Sequence, residues 1–378
     1  MNNRTICFVA RFDFLDKPGG DTIQWQMYKR AASEAGFRTL TWFKDEPIPD
    51  ADVYHAFNID RPLELYPRLK RVKQRRKPFV LSTIHHPHDW MNRFRKEHQQ
   101  SDSTVMAIYR SICGGSVERM ESIRELVVLA KQQRLARILD LWPRWISRIR
   151  WLLDKADTIL LLSGREEDFL KQDLGYQCDL DKMAIVPNWV EGIPCDGIQM
   201  PAAVRGMPEP PVIVVGRMEA RKNMLRVCRL ANRALRPLIF IGRPNPSESA
   251  YEAELRRSLN SLIRWVPGVP REQMAGFYMH SSFLLNASYA EVSPLVDIEA
   301  LMFGCPVATT RYALHHEYLP KDTPMCDAYD DQGILRLLGW RPPRLSPFYA
   351  VDSTECKSQL VAIYARLSEK SRLKEPGR

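Results

Sequence analysis

The sequence contains no C-x-x-C pair: its eight cysteines, at 7, 113, 178, 195, 228, 305, 326 and 356, are scattered. That spacing is expected of reduced thiols in a cytoplasmic chain, not of a disulfide framework or a zinc site. Long apolar runs are missing too. No window approaches the ~20 uninterrupted apolar residues of a spanning helix. The first run, Ile6 to Ala10, is followed at once by Arg11 and Asp13. It is too short for a signal-peptide core and reads as a first buried strand. There is no internal repeat of solenoid length and no recognised nucleic-acid-binding motif, so nucleic acid is not an expected partner.

What remains is the composition of a soluble globular chain: 378 residues, 45% hydrophobic and 26% charged. That is enough for two domains of ordinary size. The net charge of +10 is clustered, with eight Lys/Arg against one acid in residues 61–80 and seven against two in 131–155. Such patches suit an anionic partner, although a solvated helix face gives the same pattern.

Short apolar runs alternate with longer amphipathic stretches, which predicts βα units and parallel sheets. Strands are expected at Thr5–Ala10, Arg38–Phe43, Val53–Phe57, Pro78–Ile84, Thr158–Leu162 and Met183–Val186. A second series follows at Pro211–Val215, Leu238–Ile241, Ser282–Leu285 and Pro306–Thr309. The Pro- and Gly-rich stretch between them is expected to be a linker. The reading is therefore α/β, with a first domain over residues 1–190, a linker over 191–210 and a second domain over 211–345. The closing segment, 346–378, is expected to be helical and to return to the first domain.

Four segments carry candidate chemistry. In 287-ASYAEVSPLVDIEALMFGCPVATT-310, Ser293 is expected to cap a helix starting at Pro294. The free amides of Leu295 and Val296 then make an anion site, with Glu291 and Glu299 beside it to bind hydroxyls. In 212-VIVVGRMEARKNMLRVC-228, Arg217 and Lys222 follow a buried strand, where parallel sheets bind ligands, and together suit a diphosphate. Asn223 is expected to cap the next helix. Gly19 and Gly20 lie in a turn after the first strand, short of a full G-x-G-x-x-G, with Asp21 or Thr22 expected to cap the helix that follows. Finally, 82-STIHHPHDW-90 places three histidines after a strand, but in no common metal-ligand spacing. No metal is expected.

The order of these elements resembles glycosyltransferase family 4 of the GT-B fold. It runs from a Gly-Gly turn through a T-x-H strand end, P-N-W-V-E and G-R-(x4)-K-N to E-(x7)-E followed by E-A-L-(x2)-G-C-P-V. The resemblance spans nearly the whole chain and is weakest between residues 90 and 150. It implies two facing Rossmann-like domains with an interdomain cleft, and retaining, metal-independent transfer from a nucleotide sugar, UDP- or GDP-linked. By match, Glu291 contacts the donor sugar, Glu299 the ribose, Arg217 and Lys222 the diphosphate, and Gly20 with Gly19 the donor. His85 is then the pocket histidine. Where the family usually has E-G-F-G-L, this chain has Glu291-Val292-Ser293-Pro294-Leu295. The opening Gly-Gly-Asp-Thr-Ile-Gln resembles a subgroup of bacterial surface-polysaccharide assembly, implying a glycan or lipid-linked acceptor in lipopolysaccharide- or capsule-like synthesis. A catalytically silent binding protein and a nucleotide-sugar epimerase of the same fold stay open.

The stretch 131–155 bears on the acceptor. Trp142, Trp145 and their neighbours recur at helical spacing, flanked by Arg134, Arg137, Arg144 and Arg148. This composition fits a helix lying on an anionic membrane, and equally one packed on its own sheet.

Overall fold

In the computed structural model, the described residues are 4–14, 19–43, 46–98, 116, 118–123, 145–177, 179–191 and 197–373. They form two compact units. The first comprises residues 1–88, 99–187 and 354–378, and the second 89–98 with 188–353.

Unit 1 holds a parallel sheet of six strands, β1 (Thr5–Val9), β2 (Arg38–Trp42), β3 (Val53–Phe57), β4 (Phe79–Ser82), β5 (Thr158–Leu161) and β6 (Met183–Ile185). Their order across the sheet is β2-β1-β3-β4-β5-β6. Helices α1 (Gly20–Glu34), α2 (Pro62–Gln74), α4 (Trp145–Lys155) and α5 (Gly164–Leu174) lie between its strands, and α3 (His88–Glu97) leaves this unit after its first residue. Strands covered on both faces need unbroken apolar runs, and β3 and β4 are buried at every position.

α4 settles part of the question about the Trp/Arg stretch. Trp145 is only 2% exposed and packs with Ile149, Leu152 and Leu153 against Tyr54, Phe79 and Ile159. Arg148 is buried beside the Tyr66 ring. These two side chains thus serve the core of unit 1, not a surface. Arg134, Arg137, Trp142 and Arg144 lie outside the described residues. Part of the 61–80 basic cluster is likewise structural. Arg68 is buried and donates to the Ala10 carbonyl at 2.7 Å, Arg61 pairs with Asp13, and Lys73 pairs with Asp157.

Unit 2 repeats the plan with β7 (Val212–Val215), β8 (Leu238–Ile241), β9 (Ile263–Val266), β10 (Phe283–Asn286), β11 (Val307–Thr310) and β12 (Met325–Cys326). All are parallel, in the order β12-β11-β10-β7-β8-β9. Its helices are α6 (Met224–Arg233), α7 (Ser249–Arg257), α8 (Arg271–His280), α9 (Leu295–Met302) and α10 (Asp331–Leu338).

Three segments group differently from their place in the sequence. Residues 89–98 belong to unit 2. There, Phe94 packs on Tyr289, and the Arg93 guanidinium lies 3.9 Å above the Tyr329 ring. The described part of the expected linker also sides with unit 2, where Arg264 donates to the Ala203 carbonyl at 2.8 Å. The last helix, α11 (Ser353–Leu373), joins unit 1. Its Tyr364 hydroxyl meets His55 Nδ1 at 2.6 Å, and Arg4 pairs with Glu369 at 2.8 Å. Burial pulls the His55 pKa down to about 3, so this histidine is a neutral core residue. Among the described residues, no helix is long and apolar enough to cross a membrane.

Candidate functional site

The C-terminal edge of the unit 2 sheet carries most of the expected residues. β7 is followed by Gly216, whose φ of 155° sends the chain into the loop 217–223. Gly242, after β8, has φ 154°, and a Cβ there would lie 1.8 Å from the Gly216 carbonyl oxygen. Two glycines therefore let two backbones touch, which fixes where the Arg217 loop begins. The stem of Lys222 lies over Gly216, with its Cε 3.1 Å from where a Cβ would be.

The loop after β10 meets this one. Tyr289 N–H donates to the Arg221 carbonyl at 3.0 Å, and Glu291 N–H to the Tyr312 carbonyl at 2.8 Å. The Glu291 carboxylate is buried and paired with Lys222 Nζ, with Arg221 Nη1 at 3.5 Å. Burial alone would push its pKa up. Lys222 and Arg221 outweigh that and bring it down to about 2. Glu291 is thus ionised at neutral pH and accepts hydrogen bonds; it is not a proton donor.

Behind the pair lies Glu219, which reading the sequence alone passed over. It is buried, and its two oxygens take Arg217 at 3.1 Å and Arg221 at 2.9 Å. Arg217 is 38% exposed at its side chain, so it is oriented from behind and open in front. Asn223 is no side-chain cap. It sits at φ 59°, and its amide donates to the Ala287 and Ala328 carbonyls at 3.1 and 3.0 Å, tying three loops together.

α9 starts at Leu295, one residue later than expected, with the N-cap position falling on Pro294. Ser293 is thereby freed from capping. Its hydroxyl and Asn188 Oδ1 are buried with no partner among the described residues, while Asn188 Nδ2 donates to the Ser293 carbonyl at 3.1 Å. Leu295 and Val296 occupy the first helical turn, where amides have no intrahelical partner. One turn on, Glu299 is buried, accepting from the Tyr278 hydroxyl at 2.9 Å with Arg271 Nε at 3.3 Å. Burial raises its pKa, with Arg271 opposing. Arg217, Lys222, Glu291 and Ser293, on the loops after β7 and β10, and Leu295, Val296 and Glu299, on α9, therefore stand at one sheet edge.

The remaining expected residues lie in unit 1. Gly19 precedes α1, with its N–H donating to Thr22 Oγ1 at 3.1 Å. Neither Asp21 nor Thr22 is the N-cap: that position falls on Gly19, so both lie inside the first turn, where Asp21 is taken by Arg11 at 2.6 Å and Thr22 accepts from the Gly19 N–H. A Cβ on Gly20 would meet nothing within 4 Å, so packing within the chain does not demand glycine there. His85 has a different setting from the one expected. It is fully buried, with Asp60 at 2.8 Å from Nδ1 and Asp173 at 2.9 Å from Nε2. With both ring nitrogens engaged, it offers a sugar no free ring atom. The His86 ring beside it keeps 25% of its surface and touches Asp60.

Residues 209–334 match the family model described as Glycosyl transferases group 1. This span contains every unit 2 candidate named above. A Streptomyces scabiei protein, D-inositol 3-phosphate glycosyltransferase, is 30% identical over 209 residues, 49% of this chain. The match covers 46% of that relative, so the chain spans about half its length. Similar solved structures extend over nearly the whole chain. Sucrose-phosphate synthase from Thermosynechococcus elongatus has a TM-score of 0.64 at 14% identity, covering 98% of this chain and 99% of that one. HepE of Anabaena, solved with UDP and glucose, gives 0.55 at 13%, covering 98% of each. WaaG, a glycosyltransferase involved in lipopolysaccharide biosynthesis, gives 0.53 at 14%, covering 98% and 95%.

The fold is GT-B.

Two parallel six-stranded sheets, each flanked by helices, agree with it.

Proposed function

We propose that this chain is a glycosyltransferase that takes its sugar from a nucleotide-sugar donor bound at the C-terminal edge of the unit 2 sheet. The observation that carries the reading is the buried Lys222–Glu291 pair, flanked by the open Arg217 and the first turn of α9, inside the span matching group 1 glycosyl transferases. A cation paired with a carboxylate beside unpartnered helix amides has an anion still to receive. A diphosphate fits it, drawing Lys222 off Glu291 and leaving that carboxylate to accept from a donor-sugar hydroxyl. Glu299, one turn into α9, takes the ribose hydroxyls, with Arg271 and Tyr278 orienting it.

As the glycosidic bond stretches, negative charge gathers on the departing nucleoside diphosphate. Arg217, Lys222 and the amides of Leu295 and Val296 stabilise it in place, the task a divalent metal performs in other transferases. We therefore assign transfer that needs no metal, and retention at the anomeric carbon by resemblance to family 4. The chain's Asp-x-Asp sequences, at 50–52 and 179–181, both lie in unit 1, whereas the proposed diphosphate residues are in unit 2. Asp52 accepts from Thr5 N–H at 2.7 Å, and Asp179 from Asp181 N–H at 3.2 Å.

In unit 1, Gly19 and Gly20 are assigned to the donor's approach. His85 becomes a positioning residue that holds Asp60 and, through it, His86. The donor base is UDP- or GDP-type, for which the HepE complex with UDP is the nearest support. The acceptor is a glycan or lipid-linked saccharide of cell-surface polysaccharide synthesis, supported by the likeness to WaaG and by the Gly19-Gly20-Asp21 opening. Such a chain works in the cytoplasm, with peripheral contact at the inner membrane face. Screening UDP- and GDP-sugars for thermal stabilisation and for hydrolysis tests the reading. At least one donor is expected to do both; none doing either would overturn it.

A further inference from the structure

Unit 1 carries a second cluster of ligand-type side chains. After β4 the chain passes through Ile84 at φ 47°, a left-handed conformation that a β-branched residue adopts only where its surroundings enforce it. The turn seats His85 inside the unit. Pro87 then delivers His88 to the start of α3, while Asp173 arrives from the last turn of α5. His85 Nε2 stands 2.9 Å from Asp173 Oδ2, and His88 Nδ1 stands 3.9 Å from the same oxygen. All three ligand atoms lie within 4.8 Å of one another.

We propose that His85 Nε2, His88 Nδ1 and the Asp173 carboxylate form a divalent metal site suited to Zn2+. Two imidazoles and one carboxylate are a common three-residue zinc set, with water completing the tetrahedron. Bonds of about 2.0 Å in a tetrahedron put ligand atoms about 3.3 Å apart. The separations of 2.9 and 3.9 Å bracket that value and the His85–His88 edge lies within 4.8 Å, so closing the site takes about half an ångström on the first two edges and up to about 1.5 Å on the third.

The surroundings of His85 are those a metal-bound histidine needs. Asp60 Oδ1, 2.8 Å from His85 Nδ1, fixes the ring so that Nε2 faces the other two ligands, the carboxylate–histidine–metal relay. Asp173 is oriented by the His88 N–H at 2.8 Å. The ligands are shielded, with side chains 0%, 12% and 4% exposed for His85, His88 and Asp173. His88 Nε2, the nitrogen left over when Nδ1 takes the metal, is buried with no partner among the described residues, so His88 would bind without the relay that Asp60 gives His85. On binding, the metal replaces the proton between His85 Nε2 and Asp173, and that proton leaves to solvent. The ion would fasten the root of α3 to α5, at the residue where the chain passes out of unit 1. The H-H-P-H sequence hid this site because its third ligand lies 85 residues away.

No residue of unit 2 takes part, so the proposal stands or falls separately from the donor reading. The test uses the full chain, stripped with a chelator and dialysed. It is titrated with Zn2+ against a chromophoric competitor, and with Co2+ followed by visible absorption. One equivalent per chain is expected, with the intense d–d bands of four-coordinate Co2+. His88→Ala and Asp173→Asn should each weaken Zn2+ binding by about 100-fold or more, and Asp60→Asn by roughly 10- to 100-fold. His280→Ala, in unit 2, should bind as wild type. If Asp173→Asn fails to fold, His88→Ala and the wild-type Co2+ spectrum decide. Absence of stoichiometric binding by the wild type, or undiminished binding by His88→Ala, overturns the proposal.

Discussion

Replacing Glu291 with Gln should expose what its pairing with Lys222 and Arg221 contributes to stability. The carboxylate is 10% exposed at its side chain and faces Lys222 and Arg221. Its pKa falls from an ordinary 4.5 to about 2. A lowered pKa gives stability that is complete above the unfolded value and lost as pH falls through the folded one. A shift of this size corresponds to about 3 kcal/mol at pH 7, with less than half remaining at pH 3. Glu291→Gln should therefore unfold at lower urea than wild type at pH 7, and the gap should narrow markedly at pH 3. Equal midpoints at pH 7, or a deficit as large at pH 3, would show that the pair does not carry this energy.

Gly242→Ala should be far more damaging than an ordinary loop change, on the order of 3 kcal/mol or more, because its Cβ meets the Gly216 carbonyl at 1.8 Å. Urea unfolding checks it, and a change below about 0.5 kcal/mol would count against the backbone contact. Arg217→Ala should leave stability within about 0.5 kcal/mol but weaken nucleoside diphosphate binding roughly 10- to 100-fold, read by calorimetry. Transfer should be neither stimulated by added Mg2+ or Mn2+ nor dependent on them, assayed at constant bound zinc. A requirement for either ion would remove the cationic site as the substitute for metal.

Much of the fold was legible because strands buried on both faces must be written as apolar runs. Val53–Phe57 and Leu238–Ile241 match the expected limits, and most others agree within two residues at each end. The two missed strands were at sheet edges. β9 carries Arg264 inside a four-residue run, and β12 is two residues long, so neither has the continuous pattern of a covered strand. The site was legible where its residues cluster in sequence, as in 216–223 and 287–299. It was illegible where partners meet from afar. Lys222 and Glu291 pair across 69 residues, and His85 is held by Asp60 and Asp173, 25 and 88 residues away. Nothing near His85 announces that both its nitrogens are taken. Glu219 was within reach, since an acid between Arg217 and Arg221 has obvious partners. Trp145 shows the opposite limit: tryptophan beside arginine at helical spacing reads alike for a membrane face and a core.

Unit 2 is proposed to bind a nucleotide sugar, with Glu299 on the nucleoside and Glu291 on the sugar. The direct measurement is calorimetry with nucleoside diphosphate, set beside turnover of the sugar donor, for wild type, Glu299→Ala and Glu291→Ala. Glu299→Ala should weaken binding of the nucleoside diphosphate roughly 10- to 100-fold, the worth of a charge-assisted hydrogen bond at about 1.5–3 kcal/mol. Glu291→Ala should bind it about as well as wild type yet lose most transfer, because its partner is the sugar. If no nucleoside diphosphate binds the wild type, or both variants bind and turn over like it, the assignment of this sheet edge as the donor site is wrong.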